Sequence, residues 1–399
     1  MKKCRIFLLF VGLLAAMLLS GCFDNREIDE TAYIIAIGID RVKNSDFSYT
    51  FQFSKPISGG SPEGGESGGG GEGQSANKSV TNITVTAPDF YVAKNMTNNF
   101  LAKNIDMSHL NLIIFSKDID PSGLFRHSQF LLREREIRPH TAVAVSKQTA
   151  KEYIEGVNPD LEANTAKYYE LMALRSNNVY APDKTLSDFV DEISTHGKAS
   201  ALPLAAVADK DSSSTKPQTN DGLWISSESA VLAAKQSDFR GMAIFRDGVM
   251  SGTMDGDSAM LYNILNKNIQ NAVITVRSPF NSADTFSFRL SVNDPARYSI
   301  DTSTTPCRIS VSQALGIEFL GSKIPDGFES YEQLFSFVRS VIESQMTKFF
   351  ADISHNKRAD ILKIGDHFKR NFITQQQWED ANWSKIYETA KFNVDIYFE

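Results

Sequence analysis

The chain predicts a mixed α/β and α+β protein, with mixed sheets and packed helices. Apolar strand-like runs alternate with helical patterns through the first 175 residues, and strands precede helices in the last third. Two polar, low-complexity stretches interrupt the apolar blocks. The 399 residues, 42% hydrophobic, suffice for two or three domains with real cores.

At the very start, Lys2, Lys3 and Arg5 precede an apolar run from Ile6 to Leu19. That length suits a signal peptide and is short for a membrane span. Leu19-Ser20-Gly21-Cys22 closes the run. A hydrophobic residue, two small ones and a Cys are what lipoprotein processing requires: small side chains fit the peptidase, and the thiol takes the diacylglycerol before cleavage. Residues 1–21 are therefore expected to leave as a signal peptide, and Cys22 to carry the lipid. Two acyl chains make a lasting tether, since each buried CH₂ contributes about 0.8 kcal/mol and one chain binds only marginally. Cleavage removes Lys2, Lys3 and Arg5, so the net charge of −7 becomes about −10. An acidic exterior disfavours nucleic acid and anionic surfaces, which leaves the lipid as the expected membrane attachment. Cys4 departs with the signal, Cys22 is modified, and Cys307 has no partner for an internal disulfide.

The first domain is expected over residues 22–175. Ala32 to Asp40 and Phe47 to Phe53, the latter alternating Phe47, Tyr49, Phe51 and Phe53, predict a hairpin turning at Lys43-Asn44-Ser45. Residues 54–78 predict a flexible surface loop, because nine glycines and three glutamates between Gly59 and Gly73 leave nothing apolar to bury. A strand at Val80 to Thr86 leads to a helix from Asp89 to about Lys103 and a strand at Leu110 to Ser116. Asp120-Pro121 has the N-cap and first-turn signature of a helix that should end near Arg138-Pro139. A strand (Thr141 to Ser146) and a helix (Gln148 to Glu155) follow.

A middle domain is expected over 176–265, carrying a Ser/Pro/Asp-rich loop between about Ala199 and Leu223 and a hairpin across Gly241 to Gly252 at Asp247-Gly248. The C-terminal domain, 266–399, should hold strands at Ala272 to Arg277, Thr285 to Val292 and Cys307 to about Gln313. A helix capped by Ser330 and Gln333 carries an apolar stripe of Leu334, Val338, Val341, Ile342, Phe349 and Ile353. Thr374-x-x-Gln377 opens a second helix bearing Trp378 and Trp383. The closing alternation Phe392, Val394, Ile396, Phe398 predicts a half-exposed edge strand.

No catalytic constellation is present in the sequence. The six histidines include no i, i+4 pair with an intervening Glu, and no Gly-x-Ser-x-Gly elbow occurs. Gly68-x-Gly70-x-x-Gly73 has neither the preceding strand nor the following helix that dinucleotide binding needs. Cys307 lies in a strand-like alternation and reads as a small buried hydrophobe. Asp255-Gly256-Asp257 reads as a turn, since the rest of a calcium-binding run is missing. No cofactor, metal or catalytic residue is expected. Arg133-Glu134-Arg135-Glu136-x-Arg138 reads as a solvated helix end with weak local ion pairs, or as a docking surface in which Arg133, Arg135 and Arg138 face a partner.

Several blocks in one order resemble the Ger(x)C spore germination lipoproteins, the C subunits of nutrient germinant receptors. They are the Cys22 site followed by Arg26-Glu27-Ile28-Asp29-Glu30, Ile37-Gly38-Ile39-Asp40, Ser108-His109-Leu110, the run Leu132 to Arg138, Gly241 to Arg246 continuing to Gly252, and Ala359-Asp360-Ile361-Leu362 with Gly365. The Gly/Glu-rich loop is longer than usual, and Phe23 stands where the family commonly has Trp. The resemblance implies a three-domain lipoprotein ectodomain, lipid-anchored on the outer face of the spore inner membrane beside two membrane-spanning subunits, A and B. It also implies a non-catalytic part in a receptor whose nutrient site lies in those partners. A solute-binding lipoprotein of an importer is the alternative, but would show two similar α/β lobes. A tethered hydrolase would need the missing nucleophile or metal set.

Overall fold

The structure, a computed structural model, describes residues 30–42, 46–55, 80–159, 162, 164–173, 178–195, 199–207, 223–225, 236–266, 269 and 271–399. The signal segment with Cys22, the 43–45 turn, the glycine-rich loop, the polar stretch 208–222 and His196 lie outside them. The chain adopts the mixed α/β and α+β class expected from its sequence, built on two sheets.

The first sheet has nine strands. Strands β1 (Thr31–Arg41), β2 (Phe47–Ser54) and β3 (Val80–Ala87) form an antiparallel meander. Strands β5 (Leu112–Ser116), β6 (Ala142–Ser146) and β7 (Ala199–Val207) run parallel beside β1. Strands β8 (Ser237–Arg246) and β9 (Val249–Met254) complete the order β3-β2-β1-β5-β6-β7-β8-β9, with the short β4 (Asn104–Asp106) paired to the start of β1. Residues 176–265, read from sequence as a middle domain, thus add β7, β8 and β9 to this same sheet.

Helices cover both faces, which is why the central strands are apolar throughout instead of alternating. On one face lie α1 (Phe90–Phe100), α2 (Pro121–Arg133) and α5 (Leu186–Ser194); on the other lie α3 (Ala150–Gly156) and α4 (Thr165–Ala173). Asp89 and Asp120 cap α1 and α2, and Thr149 and Glu152 form a reciprocal capping box on α3.

The second sheet contains β10 (Ala272–Arg277), β11 (Thr285–Ser291), β12 (Arg297–Asp301), β13 (Arg308–Phe319) and β14 (Lys391–Phe398). β14 pairs in parallel with β13 alone, half-exposed as expected of an edge. The long helix α7 (Tyr331–Ala351) buries Leu334, Val338, Val341, Ile342, Met346, Phe349 and Phe350. Its Glu343 carboxylate accepts from the backbone N–H of Ile396 at 3.0 Å, pinning the edge strand. One large core joins this sheet, α6 (Gly256–Leu265), and the ends of β7, β8 and β9.

Several sequence expectations are corrected. Helix α2 stops at Arg133, five residues before Arg138, because Glu134 adopts extended backbone. Asp255-Gly256-Asp257 opens α6: Asp255 accepts from Ser258 N–H at 2.8 Å, and the helix is buried nearly all round, so it carries no amphipathic period to reveal it. Residues 199–207 form a buried strand of small residues, where Pro203 is tolerated beside a register shift. Trp378 and Trp383 sit on separate helices, α9 (Gln375–Ala381) and α10 (Trp383–Thr389), broken at Asn382 with φ 48°. The hairpin at Asp247-Gly248 forms as expected, with φ of 49° and 76° at its two central residues.

Candidate functional site

Strand directions bring one end of the first sheet into focus. β1, β5, β6 and β7 are parallel, so their N-terminal ends share an edge, with Ala36 beside Leu112 and Leu112 beside Ala142. The chain enters this end at Thr31, nine residues beyond Cys22. Helices α1 and α2 run back to this end before the next strand begins, and α5 starts there, where Leu186 N–H donates to Thr141 O at 2.8 Å. The last residues of α1, the loop 107–111 and the loop 134–141 therefore converge there, with the 247–248 turn of the β8-β9 hairpin.

Arg133, Arg135 and Arg138 belong to this end, and all three are exposed. Their neighbours alternate inward. Glu134 and Glu136 lie 3.4 and 3.7 Å from Lys94 on α1, Glu136 accepts from Met107 N–H at 3.3 Å, and Ile137 is buried. Arg133 also stands on the last turn of α2, where a cation is favoured by the helix dipole. Arg138 differs from the other two: its guanidinium donates to Asn111 Oδ1 at 2.8 Å and to Leu110 O at 3.4 Å. It braces the loop that contains Ser108-His109-Leu110. His109 sets its ring edge-on to Tyr33 at 4.6 Å.

The other sequence blocks are structural hubs. Asp40, buried at the end of β1, accepts from Ala150 N–H at 2.7 Å and Lys151 N–H at 2.9 Å, so it caps α3 across 110 residues. Burial raises its pKa, and the two N–H donors oppose that. Gly38 leaves room for the same helix, since a Cβ there would meet Ile154 Cδ1 at 2.8 Å. Asp360 is the counterpart in the second body, the part built on the second sheet. It accepts from Ile364 N–H (2.9 Å), Gly365 N–H (2.7 Å) and Trp383 Nε1–H (2.9 Å), tying the start of α8 (Ile364–Lys369) to α10.

One cluster escaped sequence reading. Glu192 on α5 is fully buried, and its Oε1 meets Lys184 Nζ at 2.6 Å and Lys363 Nζ at 2.9 Å, while Ser200 Oγ donates to Oε2 at 2.6 Å. Lys363 comes from the second body, and Arg246 at the end of β8 pairs with Glu388 of α10 at 2.7 Å. Ionic contacts thus join the two bodies at this same end. The available signal was a Glu set between Phe189 and Ile193 on an apolar helix face.

Among the described residues no group of three His, Cys, Asp or Glu could hold a metal ion. His127 is buried against Phe47 and Tyr49, whose hydroxyl lies 3.2 Å from Nδ1; burial, aided by Arg126, lowers its pKa to about 4. Cys307 is buried and free, and burial pushes its thiol up. A cavity of about 270 Å³ lies between the start of α6 and the end of α7, lined by Trp224, Met254, Asp257, Lys348, Phe349 and Asp352. No helix among the described residues is long and apolar enough to cross a membrane.

Comparison with known proteins places this geometry. Residues 24–207 match the spore germination protein N-terminal domain, and residues 240–399 match the spore germination B3/GerAC-like C-terminal domain. YfkR of Bacillus subtilis (strain 168), a spore germination protein by name, is 27% identical over 192 residues, 48% of each chain. Spore germination protein KC of the same organism is 26% identical over 191 residues, 45% of each chain. The chain spans about half the length of these curated relatives in the matched region. The crystal structure of the GerBC protein shares the fold, with a TM-score of 0.52 at 12% identity, covering 91% of this chain and 96% of that one. With both domain models matched in order, one on each half, the chain belongs to the GerAC-like family of spore germination proteins.

Proposed function

We propose that the protein is a non-catalytic, membrane-anchored subunit of a spore nutrient germinant receptor, supporting receptor assembly and the response to nutrients during germination. In this reading Cys22 carries a diacylglycerol, and the ectodomain stands on the outer face of the spore inner membrane. Arg133 and Arg135 face the membrane-spanning A and B subunits, and Arg138 holds the loop behind them. One observation carries the reading: the three arginines lie at the end of the sheet where the chain enters from Cys22, the end a lipid tether would hold nearest to membrane-embedded partners. An importer's solute-binding lipoprotein gains no support from a continuous nine-stranded sheet joined to a second, different sheet.

The test separates anchoring from docking. Arg133→Glu with Arg135→Glu should keep the melting temperature, because exposed charges contribute little to folding, yet sharply reduce recovery of the partner subunits from detergent-solubilised spores. Full recovery of the partners would remove the docking role. Cys22→Ala should lose lipid labelling and leave carbonate-washed membranes of cells lacking other receptor subunits; its retention there would refute the anchor.

A further inference from the structure

The exposed face of α1 carries an apolar ridge, flanked by the exposed Asn95, Asn98 and Asn99, in a chain of net charge −7. Val92, Met96 and Phe100 recur at i, i+4 and i+8, so their side chains form one ridge. They are 37%, 48% and 77% exposed. The helix buries its other face, Phe90, Ala93 and Thr97. Single exposed apolar residues are ordinary on protein surfaces, whereas three aligned on one helix are a patch. Between Asp89 and Asp106 there are two lysines and no carboxylate; Lys94 pairs with Glu134 and Glu136, and Lys103 is exposed.

Position supplies the occupant. α1 runs back along the sheet and ends at Phe100, four residues before Asn104, which pairs with Thr31. The most exposed residue of the ridge therefore sits beside the entry of the chain from Cys22. The stretch from Cys22 to Thr31 spans at most about 30 Å even when fully extended. A lipid on Cys22 would hold this end of the fold within that distance of the bilayer. Aromatic side chains partition to the boundary between headgroups and acyl chains, and lysines beside them reach lipid phosphates.

We propose that the α1 ridge is a bilayer-contact surface, with Phe100 and Met96 entering the headgroup region and Lys103 meeting lipid phosphate. The contact orients the tethered ectodomain so that Arg133 and Arg135 are presented along the membrane. It rests on lipidation at Cys22, as proposed above.

The test uses the mature lipidated chain in phosphatidylcholine/phosphatidylglycerol vesicles that contain doxyl-labelled lipid. Phe100→Cys carries a bimane label, and Lys117→Cys, exposed at the opposite end of the sheet, is the control. The label at 100 should be quenched roughly twofold or more and the label at 117 scarcely at all. An unchanged melting temperature for both variants shows that the fold is intact. If the chain stays on the vesicles and the label at 100 is quenched no more than the control, the ridge does not touch lipid and the anchor stands. If the chain does not stay on the vesicles, the anchor fails and the contact with it. Shielding at 100 that appears only when the membrane-spanning subunits are co-reconstituted would make the ridge a protein-docking face and overturn the proposal.

Discussion

Glu192→Gln tests whether the buried ionic cluster holds the two bodies together. The substitution keeps the shape of the side chain and removes its charge, which strands the Lys184 ammonium. The Lys184 side chain is 9% exposed and Lys363 is 42% exposed. Burial alone would lower the pKa of Lys184, but Tyr262 and Glu192 outweigh it and hold the value above that of ordinary lysine. A raised folded pKa means the contribution is full at neutral pH and is lost only as pH rises past about 10.4. Removing one partner of a buried pair costs about 3–5 kcal/mol, and the exposed Lys363 arm contributes at most about 1 kcal/mol. The amide oxygen of Gln still accepts one bond from Lys184, so the lower figure, about 3 kcal/mol, is expected. For a chain of this size that is a melting shift of roughly 4 °C. Thermal unfolding of the purified mature chain, followed by circular dichroism at pH 7.5, measures it. Lys363→Met should shift the transition by less than about 2 °C. Adding Lys184→Met to Glu192→Gln should recover part of the loss, because no charge is then stranded. A Glu192→Gln transition within about 1 °C of the parent, or strictly additive double-mutant losses, would refute the reasoning.

Two further predictions follow from other buried groups. His127 has a folded pKa near 4 against an ordinary 6.5, so its contribution is present above pH 6.5 and is lost as pH falls toward 4, for a total of roughly 3 kcal/mol. His127→Phe should flatten the acid limb of stability in urea titrations at pH 7 and pH 5, and a mutant profile parallel to the parent's would exclude His127 as its source. Asp360→Asn should destabilise by about 3 kcal/mol or more, because the new amide NH₂ would face either Ile364 N–H or the pair Gly365 N–H and Trp383 Nε1–H. The readout is the unfolding midpoint by tryptophan fluorescence; a midpoint unchanged from the parent would mean that the carboxylate does not organise α8 and α10.

Local signals were legible wherever the chain announces itself within a few residues. Asp120-Pro121, Thr374-x-x-Gln377 and Asp247-Gly248 each act through neighbouring backbone groups, and each forms the cap or turn expected. The stripe on α7 and the alternation of β14 were equally readable, because each buries one face only. Elements buried on all sides were not. α6 and β7 have no polar face, so neither shows a period, and Asn382 interrupts what reads as one helix with a single left-handed residue. The docking candidates Arg133, Arg135 and Arg138 could be picked out by charge, yet Arg138 looked equivalent to the other two until Asn111 and Leu110 were brought beside it.

By itself the sequence determined the class, the capped helices and alternating strands, the family blocks and the Cys22 motif, all of which depend on residue type and short-range spacing. Only the tertiary structure decided that residues 176–265 extend the first sheet, that Asp40 caps α3 from 110 positions away, that Asp360 ties α8 to α10, and that Glu192 meets Lys363 from the other body. Those outcomes depend on partners up to 171 positions apart in the chain. Their pairing is set by strand order and helix packing, and no local spacing records it.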